Sequence, residues 1–573
     1  MADTDRGLTA VAIAPDVGAA IVGADGRVEA FGPREAAQRL TAIEAAGVRW
    51  AWWNKDTCAE LASMEIEPSK CWDLSAVHRL LVGGWRSGPE RVWASALGLD
   101  TSTIPTLQPV DLFTQAIDAG DVEDPVGPDG HLRPEWVQGG WSESLDRLVR
   151  WAGLVADVQR AQSSQLAARR RGESDAALRH RHQTALSESA AEIVCTELEV
   201  HGLPFDRTVG ERLVAGFVGR RPVDAADERV VLGELDAPVL AHLPAGAAVD
   251  LRSPDQVRSL LRRAGIEVPD TRAWRLEALR SEHPVVDALL TWRRAERIRT
   301  TFGYPWMDDN VGADGRLRGR WSGSDGAAGR MTATAGLHNM PSEMRPAVAA
   351  EPGHVLVRAD LGQIEPRVLA AVSGDERLAA ATQDDDMYAP VAQRLRVERE
   401  IAKVAVLGAM YGQTTGRGAE ALRGLEREYP VAMGHLRSAD EAAQGGHDLW
   451  TYGGRRIRMS GNLVEGMSDG DARSRAAARG RYGRNAIVQG AAAEFFKTWA
   501  VLVRLRSRPF GARIVLCLHD ELVVHTRADV ADEVRDVVDA CLQEAAVRWA
   551  PPADSPVRFV ADTSVIERWS QAK

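Results

Sequence analysis

The chain has 573 residues, of which 45% are hydrophobic, so it can bury several cores and form three or four domains. Its formal net charge of −11 argues against a protein that coats nucleic acid without selectivity. The five cysteines show no CxxC or Cys/His metal spacing, which indicates free thiols in a reducing compartment. The N-terminus lacks the features of a signal peptide, and no run of about 18 apolar residues occurs. The sequence therefore predicts a cytoplasmic protein without a membrane span.

The first part of the chain has a mixed pattern. Residues 1–155 alternate β-like runs with helical runs, which predicts a small α/β domain. Helical patterns then cover 142–170 and 176–201, with an exposed Arg-rich linker predicted at 168–175. Three further helices are predicted near 208–219, 254–264 and 285–299.

The pattern changes at about residue 300, where glycine and serine become frequent. An apolar strand is predicted at Val355–Ala359, and it runs directly into Asp360. Helices dominate 363–440, and 450–458 is typical of a short hairpin or turn.

The last part of the chain is predicted to begin with a long helix at about 471–506. Two apolar runs, Ile514–Leu518 and Leu522–His525, then flank the turn His519–Glu521 and predict a hairpin. One more helix and a final strand at 557–562 complete the chain.

One helical segment, Arg399–Gly412, carries four residues at steps of four that stay near one face: Arg399, Lys403, Leu407 and Tyr411. Two cations on this face can bind a triphosphate, and an aromatic ring further along can pack against a base. The alternative is a solvated basic face on an amphipathic helix. Only five of the 70 basic residues are lysines, so the compact, titratable charge of Lys403 distinguishes this helix from an ordinary basic one.

Two acidic positions suggest a metal site. Asp360 ends a buried strand without an obvious basic neighbour in sequence, and Asp520 and Glu521 lie at the tip of an apolar hairpin. Unpaired buried charge is costly, and a divalent cation would offset it. If the strand and hairpin are adjacent, Asp360 and Asp520 can hold two metals about 3.5–4 Å apart, the geometry that stabilises in-line displacement at phosphorus. The alternative is an acidic strand end and an acidic turn that are simply solvated.

These segments resemble family A, the DNA polymerase I-like polymerases, over about Ala185 to the C-terminus. DLGQIEPR (360–367) is similar to the first palm motif, REIAKVAVLGAMYG (399–412) to the fingers helix and LHDE (518–521) to the second palm motif. Three further matches occur in order, GR (329–330) with HNMP (338–341), RYGRNAIVQG (481–490) and AAAEFFK (491–497). The pattern resembles an actinobacterial-type subgroup of the family.

The resemblance implies a catalytic site with two Mg²⁺ ions, for which Mn²⁺ can substitute. Asp360 and Asp520 would bind the metals, with the Leu361 carbonyl as a further ligand. Glu521 would lie beside the primer terminus, and Lys403 would bind the triphosphate and donate a proton to pyrophosphate.

The resemblance also assigns substrate contacts. Residues implied to contact the incoming dNTP are Arg399, Lys403, Leu407, Tyr411, Gln363 and Glu365. In that set Tyr411 guards the templating position and Glu365 rejects a 2′-hydroxyl. Residues implied to contact DNA are Arg330, Arg481, Asn485, Gln489 and His519. Minor-groove acceptors vary little with sequence, so minor-groove contacts can check the shape of a base pair without reading the bases.

Two departures from the family pattern affect these roles. Leu407 stands where the family commonly has an aromatic residue, so the handling of dideoxynucleotides does not follow from the resemblance. Pro366 stands where leucine is usual, and proline is tolerated only in the first turn of a helix beginning near Gly362.

In family A, the N-terminal position commonly holds a 3′–5′ exonuclease fold, whose chemistry needs about four carboxylates on two metals. No tyrosine precedes Tyr304, and no HxxxD occurs in residues 1–155. Asp73 resembles one surviving position, and WNKD at 53–56 resembles a remnant of another. We therefore expect a degenerate, RNase H-like α/β domain.

The expected architecture is this domain at 1–155, followed by an α+β right hand. A linker and helical thumb would occupy 156–299, the first part of the palm 300–380, the fingers 381–490 and the second part of the palm 491–573. The expected function is template-directed DNA synthesis without proofreading, in repair or gap filling, by a nucleoid-associated monomer that binds primer–template DNA and dNTPs and no membrane. The alternatives are a catalytically weak DNA-binding scaffold and a retained exonuclease.

Overall fold

A computed structural model describes residues 7–107, 123–170, 173–243, 249–412, 418–459, 469–550 and 556–572. The chain forms two compact units, each assembled from three segments. The larger unit comprises Met1–His201, Arg320–Thr332 and Val357–Val565. The smaller unit comprises Gly202–Gly319, Ala333–Leu356 and Ile566–Lys573.

The first segment of the larger unit alternates strands and helices, as the sequence predicts. Its strands are β1 (Leu8–Ala14), β2 (Gly18–Gly23), β3 (Val28–Phe31), β4 (Arg49–Trp52) and β5 (Cys71–Asp73). Its helices are α1 (Pro33–Ala45), α2 (Lys55–Ser63), α3 (Leu74–Val82), α4 (Pro89–Leu97), α5 (Pro134–Val137), α6 (Leu145–Ala167) and α7 (Asp175–His201).

These strands form one mixed sheet in the order β3-β2-β1-β4-β5. β1 is antiparallel to β2, with Ala14 opposite Gly18, and parallel to β4, with Leu8 opposite Arg49. β1 is buried on both faces, which explains its continuous apolar sequence LTAVAIA. Alternate β1 residues therefore enter two cores, one packed on α6 and the other on α1 and α2.

The smaller unit is mainly helical. It contains β6 (Leu203–Pro204), α8 (Arg207–Val218), α9 (Ala225–Leu240), α10 (Pro254–Arg263), α11 (Ala273–Glu277), α12 (Pro284–Phe302), α13 (Tyr304–Asn310) and β7 (Arg316–Leu317). The three helices predicted here are confirmed, whereas α9 and the short helices α11 and α13 were not predicted. Gly233 and Pro238 interrupt the α9 pattern, but the Asp224 side chain caps its first turn by accepting from two backbone N–H groups.

The elements that follow carry the predicted site. They are β8 (Trp321–Ser322), β9 (Thr332–Ala333), β10 (His354–Leu361), α14 (Ile364–Ser373), α15 (Glu376–Ala381), α16 (Tyr388–Leu395), α17 (Arg399–Tyr411), α18 (Gly418–Glu428), α19 (Pro430–Gln444), β11 (Leu449–Trp450), β12 (Arg456–Ile457), α20 (Asp469–Ser507), β13 (Arg513–Cys517), β14 (Glu521–Arg527), α21 (Ala531–Trp549) and β15 (Ala561–Ile566). A second sheet has the order β13-β14-β10-β15. β13 and β14 form an antiparallel hairpin in which Cys517 lies opposite Leu522.

Three predicted boundaries are wrong. Asp360 lies inside β10 rather than after it, and Glu521 is the buried first residue of β14 rather than part of an exposed turn. The last strand is β15, whereas it was predicted at 557–562. Just before β15 the backbone forms hydrogen bonds that are not part of a strand pairing. Arg558 N–H donates to Thr382 Oγ1 (3.1 Å), and the Val560 carbonyl accepts from Gly362 N–H (2.9 Å).

The long helix near the C-terminus is a core helix by its burial. The stretch Asp471–Phe510 contains an apolar window of 18 residues and is long and apolar enough to cross a membrane by length and composition. However, 83% of that apolar window is buried inside the structure, and this burial accounts for its composition. All five cysteines are buried free thiols.

Candidate functional site

The turn between β13 and β14 lies directly against the end of β10. Leu361 N–H donates to the Asp520 carbonyl over 2.8 Å, and Leu518 N–H donates to the Glu521 carbonyl over 2.8 Å to close the turn. The structure therefore brings Asp360, Leu361, Asp520 and Glu521 together from two distant segments of the chain. The strand and the hairpin are adjacent, as the metal hypothesis requires.

These carboxylates repel one another. Burial, together with the charge of Asp520, raises the pKa of Asp360 to about 6. Asp520 is solvent-exposed at the hairpin tip, but partial desolvation of its carboxylate by the surrounding protein, together with the charge of Glu521, also raises its pKa. The group therefore carries an excess of negative charge, and its donors are the oxygens that Mg²⁺ prefers. Among the described residues, no three His, Cys, Asp or Glu side chains converge as a complete metal cage. A bound Mg²⁺ would thus need water or substrate oxygens as additional ligands.

Asp360 has a basic neighbour that the sequence analysis did not recognise. Arg358 Nη2 donates to Asp360 Oδ2 (2.7 Å), and Arg358 Nε donates to Glu521 Oε1 (2.9 Å). The inference that no basic residue lies near Asp360 in sequence is therefore wrong. Residues two apart in a strand share one face, so the Arg-Ala-Asp sequence contained this signal.

The raised pKa of Asp360 predicts a pH effect on metal binding. A cation competes with a proton for this carboxylate, so the Mg²⁺ concentration for half-maximal activity should rise about tenfold per pH unit below 6 and level off above 7. Because the pKa of Asp360 is raised from its ordinary value of 3.8 to about 6 in the folded state, this group's contribution to stability falls as the pH rises from about 4 to about 6. Acid inactivation near pH 6 should therefore occur without unfolding, and activity and circular dichroism measured together would check this. A Mg²⁺ requirement that is flat from pH 5 to 8 would contradict the prediction.

The predicted basic face lies on α17, which ends at Gly412 with a left-handed φ of 70°. Arg399 pairs with Asp386 and Glu400, and its guanidinium lies 5.8 Å from the Tyr388 ring centroid. Lys403 is half-buried and makes no hydrogen bond or ion pair with any residue that the structure describes. Leu407 is half-buried on the same helix. Of the two cations, Lys403 is thus the one without an acidic partner in the described chain.

Glu365 joins three of the sequence motifs. Its Oε1 accepts from Arg330 Nη2 (2.6 Å), and its Oε2 accepts from the Tyr411 hydroxyl (2.8 Å). Three of the predicted substrate and DNA contacts, Glu365, Arg330 and Tyr411, are therefore linked by direct hydrogen bonds. Gln489 is half-buried on α20.

The turn between β10 and α14 has an unusual backbone. Gln363 adopts a left-handed conformation (φ 48°), and its side-chain oxygen accepts from Met387 N–H and Arg367 Nη2, both at 3.3 Å. Arg367 is fully buried and donates to the carbonyls of Gly362 (2.9 Å) and Thr382 (2.6 Å), among others. The acceptor atom of Gln363 is thus engaged within the protein, and Arg367 fixes the turn that follows Asp360.

The remaining predicted DNA contacts lie on α20 and at the hairpin tip. Arg481 is exposed and packs against Gly412, where an added Cβ would come within 2.7 Å of Arg481 Cγ. The Asn485 Oδ1 atom is buried without a hydrogen-bond partner in the described residues, which leaves an acceptor for a ligand. His519 is exposed beside Asp520.

A buried ionic cluster, which we define as Glu188, Arg455, Glu494 and Lys497, was missed by the sequence analysis. Glu188 pairs with both Arg455 and Lys497, and Glu494 accepts from Gly453 N–H over 2.8 Å. Lys497 also donates to the carbonyls of Gly323 (3.2 Å) and Gly329 (2.8 Å). The cluster therefore fixes the loop that ends at Arg330. Glu494 and Lys497 both lie in the AAAEFFK match at 491–497, and Lys497 is one of only five lysines, but neither signal indicated an ionic cluster.

The N-terminal segment contains a cavity of about 890 Å³ beside Asp73, lined also by Asn54, Arg79 and Glu192. Asp73 is fully buried, and burial together with the charge of Glu192 raises its pKa to about 7. Its Oδ1 accepts from Ala76 N–H (2.8 Å) and its Oδ2 from Trp52 Nε1 (2.9 Å). Asp73 thus serves as the N-cap of α3, and both of its oxygens have partners within the protein.

The sequence matches the profile of DNA polymerase family A over residues 234–571. The chain is 30% identical over 327 residues to the thermostable DNA polymerase I of Thermus filiformis, an alignment that covers 52% of this chain and 38% of that protein. It is 31% identical over 307 residues to DNA polymerase I of Chloroflexus aurantiacus, covering 48% and 32% respectively. The matched part therefore spans well under half the length of these relatives.

The fold also matches a solved structure, described as the POL domain of Pol1 from M. smegmatis in complex with DNA primer–template and dNTP. The TM-score is 0.69 at 22% identity, and the match covers 98% of this chain and 96% of that one. The family profile covers more than half of the sequence, and the chain belongs to DNA polymerase family A.

Proposed function

We propose that this chain is a template-directed DNA polymerase, in which a primer 3′-hydroxyl attacks the α-phosphorus of a dNTP and pyrophosphate leaves. The observation that carries the proposal is the contact between Leu361 N–H and the Asp520 carbonyl, because it brings two carboxylates with raised pKa values together. Membership of DNA polymerase family A supports the same activity.

Two Mg²⁺ ions, or Mn²⁺ in their place, fit this donor set. Asp360, Asp520 and the Leu361 carbonyl would hold them, and the raised pKa values of both aspartates mark the negative charge that they would offset. Bound there, the ions would supply activation of the hydroxyl and neutralisation of the transferring phosphate.

The chain's own residues would place the substrates. Lys403, and Arg399 once released from Asp386, would bind the triphosphate, and Lys403 would protonate the leaving pyrophosphate. Arg330, Asn485 and Gln489 would contact the minor groove of the nascent pair. Because the atoms shared by all base pairs in the minor groove are acceptors, the N–H groups of these three side chains would make the contacts.

The wider assignments are part of this proposal. Residues 156–299 would form the linker and thumb, 300–380 and 491–573 the palm, and 381–490 the fingers. The protein would act as a monomer on primer–template DNA with dNTPs in the cytoplasm at the nucleoid, in repair or gap filling.

We further propose that residues 1–155 are a degenerate exonuclease-like domain. The mixed sheet order β3-β2-β1-β4-β5 supports an RNase H-like origin, and the bonded oxygens of Asp73 support the loss of metal binding.

A labelled primer incubated with Mg²⁺, with and without dNTPs, tests both the polymerase proposal and the exonuclease proposal. Extension with dNTPs and no shortening without them is expected. Shortening would mean a retained exonuclease, and DNA binding with neither product would favour the scaffold alternative.

Glu365→Ala should reduce discrimination against ribonucleotides. The substitution removes the side chain implied to exclude a 2′-hydroxyl. It also frees Tyr411 and Arg330, both of which donate a hydrogen bond to Glu365 in the structure. We expect the ratio of dNTP to rNTP incorporation to fall about tenfold or more, measured as kcat/KM on one primer–template. Glu376→Ala, on the neighbouring helix α15, is the control and should leave the ratio unchanged. An unchanged ratio for Glu365→Ala would remove this residue from sugar selection.

A further inference from the structure

Arg358 is a buried cation within the group of carboxylates. It lies on β10 two residues before Asp360, and its side chain is 6% exposed. Its guanidinium contacts Asp360 Oδ2 at 2.7 Å, Glu521 Oε1 at 2.9 Å and Asp562 Oδ2 at 3.5 Å. Burying a guanidinium is costly unless its donors are bonded, so this side chain is held by its contacts with the carboxylates.

The contacts join the two strands that carry the site. Asp360 is on β10 and Glu521 begins β14, and one planar fork of donors reaches both. Because the donor directions of a guanidinium are fixed, such a fork sets the relative position of the two carboxylates. The Glu521 side chain is only 5% exposed, whereas that of Asp360 is 36% exposed, so Asp360 retains a face open to a ligand.

Arg358 also changes the charge that a metal would meet. Asp360, Asp520 and Glu521 carry three negative charges when ionised, and Arg358 offsets one of them. A divalent cation approaching the nucleotide-free site is therefore attracted less strongly than by the three carboxylates alone. A bound nucleoside triphosphate brings further negative charge to this carboxylate site.

We propose that Arg358 is a positioning residue of the polymerase site, which orients Asp360 and Glu521 and weakens divalent-cation binding until a nucleotide is present. The inference rests on the proposed polymerase function for its catalytic part and on the geometry of the apo protein for its metal-binding part. Arg358 would not contact the reacting atoms themselves; it would act through the two carboxylates that it binds.

Mn²⁺ binding to the nucleotide-free full-length protein, followed by electron paramagnetic resonance, tests the charge effect. Arg358→Met should bind Mn²⁺ about tenfold more tightly than the wild type at this site. The double variant Asp360→Ala/Asp520→Ala reports Mn²⁺ bound elsewhere. Arg527→Met makes the same change in net charge at the far end of β14, where Arg527 pairs with exposed Asp529, and should leave the affinity unchanged. Equal or weaker binding by Arg358→Met would overturn the charge effect.

Arg358→Lys separates charge from position and remains informative if the Met variant fails to fold. Lysine keeps the charge but cannot reach two carboxylates with a fixed fork. We expect Mn²⁺ affinity within about twofold of the wild type and single-turnover extension slowed about tenfold, with primer–template affinity unchanged. Wild-type extension by Arg358→Lys would overturn the positioning role. If the wild type itself does not extend primers, the polymerase proposal fails, while the Mn²⁺ comparison still decides the charge effect.

Discussion

Asp520→Ala should abolish primer extension while leaving primer–template binding nearly unchanged. The substitution removes one of the two carboxylates implied to hold metal, at the turn bonded to Leu361. A catalytic metal supplies several kcal/mol of transition-state stabilisation, and each 1.36 kcal/mol is a factor of ten in rate. We therefore expect the single-turnover rate to fall on the order of a thousandfold or more, measured by rapid quench with Mg²⁺.

The binding measurement makes this result specific. Asp520 is exposed at a hairpin tip, so its loss should change neither the fold nor the affinity for DNA by more than about threefold. Asp532→Ala removes an exposed aspartate from the first turn of α21 and should extend primers at the wild-type rate. Extension by Asp520→Ala at more than a tenth of the wild-type rate would rule out the metal assignment.

Among the substitutions proposed here, Glu188→Ala should lower the free energy of unfolding the most. Glu188 is 2% exposed and is the shared partner of Arg455 and Lys497, which are themselves buried. Its removal leaves two cations without their counter-ion, and breaking a buried ion pair in this way costs about 3–5 kcal/mol. The free energy of unfolding from urea titration would show the loss.

An exposed ion pair provides the comparison. Arg160 and Asp157 pair on the surface of α6, so Arg160→Ala should cost no more than about 1 kcal/mol. A Glu188→Ala loss as small as that of Arg160→Ala would mean that water or relaxation compensates the buried cations, contrary to the structure. Because Lys497 also binds the Gly329 carbonyl, the variant should extend primers more slowly as well.

Local sequence patterns predicted much of the fold. The helix predicted at 285–299 is Pro284–Phe302 in the structure, and the one at 471–506 is Asp469–Ser507. Amphipathic spacing and capping residues are local signals, so they could be read from one sequence. The strand ends were less accurate, because strand length depends on partners elsewhere in the chain, as the displacement of the final strand to Ala561–Ile566 illustrates.

The site, like the fold, has features that could be predicted from the sequence and features that could not. The proximity of Asp360 and Asp520 could be predicted because each ends or follows an apolar strand at a motif of a known family. Arg358 could also have been found from its two-residue spacing to Asp360, because residues two apart in a strand share one face. The pairing of Glu188 with Arg455 could not be predicted, because 267 residues separate them and nothing local marks a buried carboxylate as the partner of a distant arginine.

The most direct measurement of the central claim is incorporation of a single nucleotide opposite each of the four template bases. The wild-type chain, a labelled primer–template and Mg²⁺ would be mixed with one dNTP at a time, and kcat/KM would be measured for all sixteen combinations. The proposed function predicts that the complementary dNTP is preferred opposite every base and that Asp520→Ala removes all incorporation. Addition that is independent of the template base, or no addition while the DNA remains bound, would contradict template-directed synthesis by this chain.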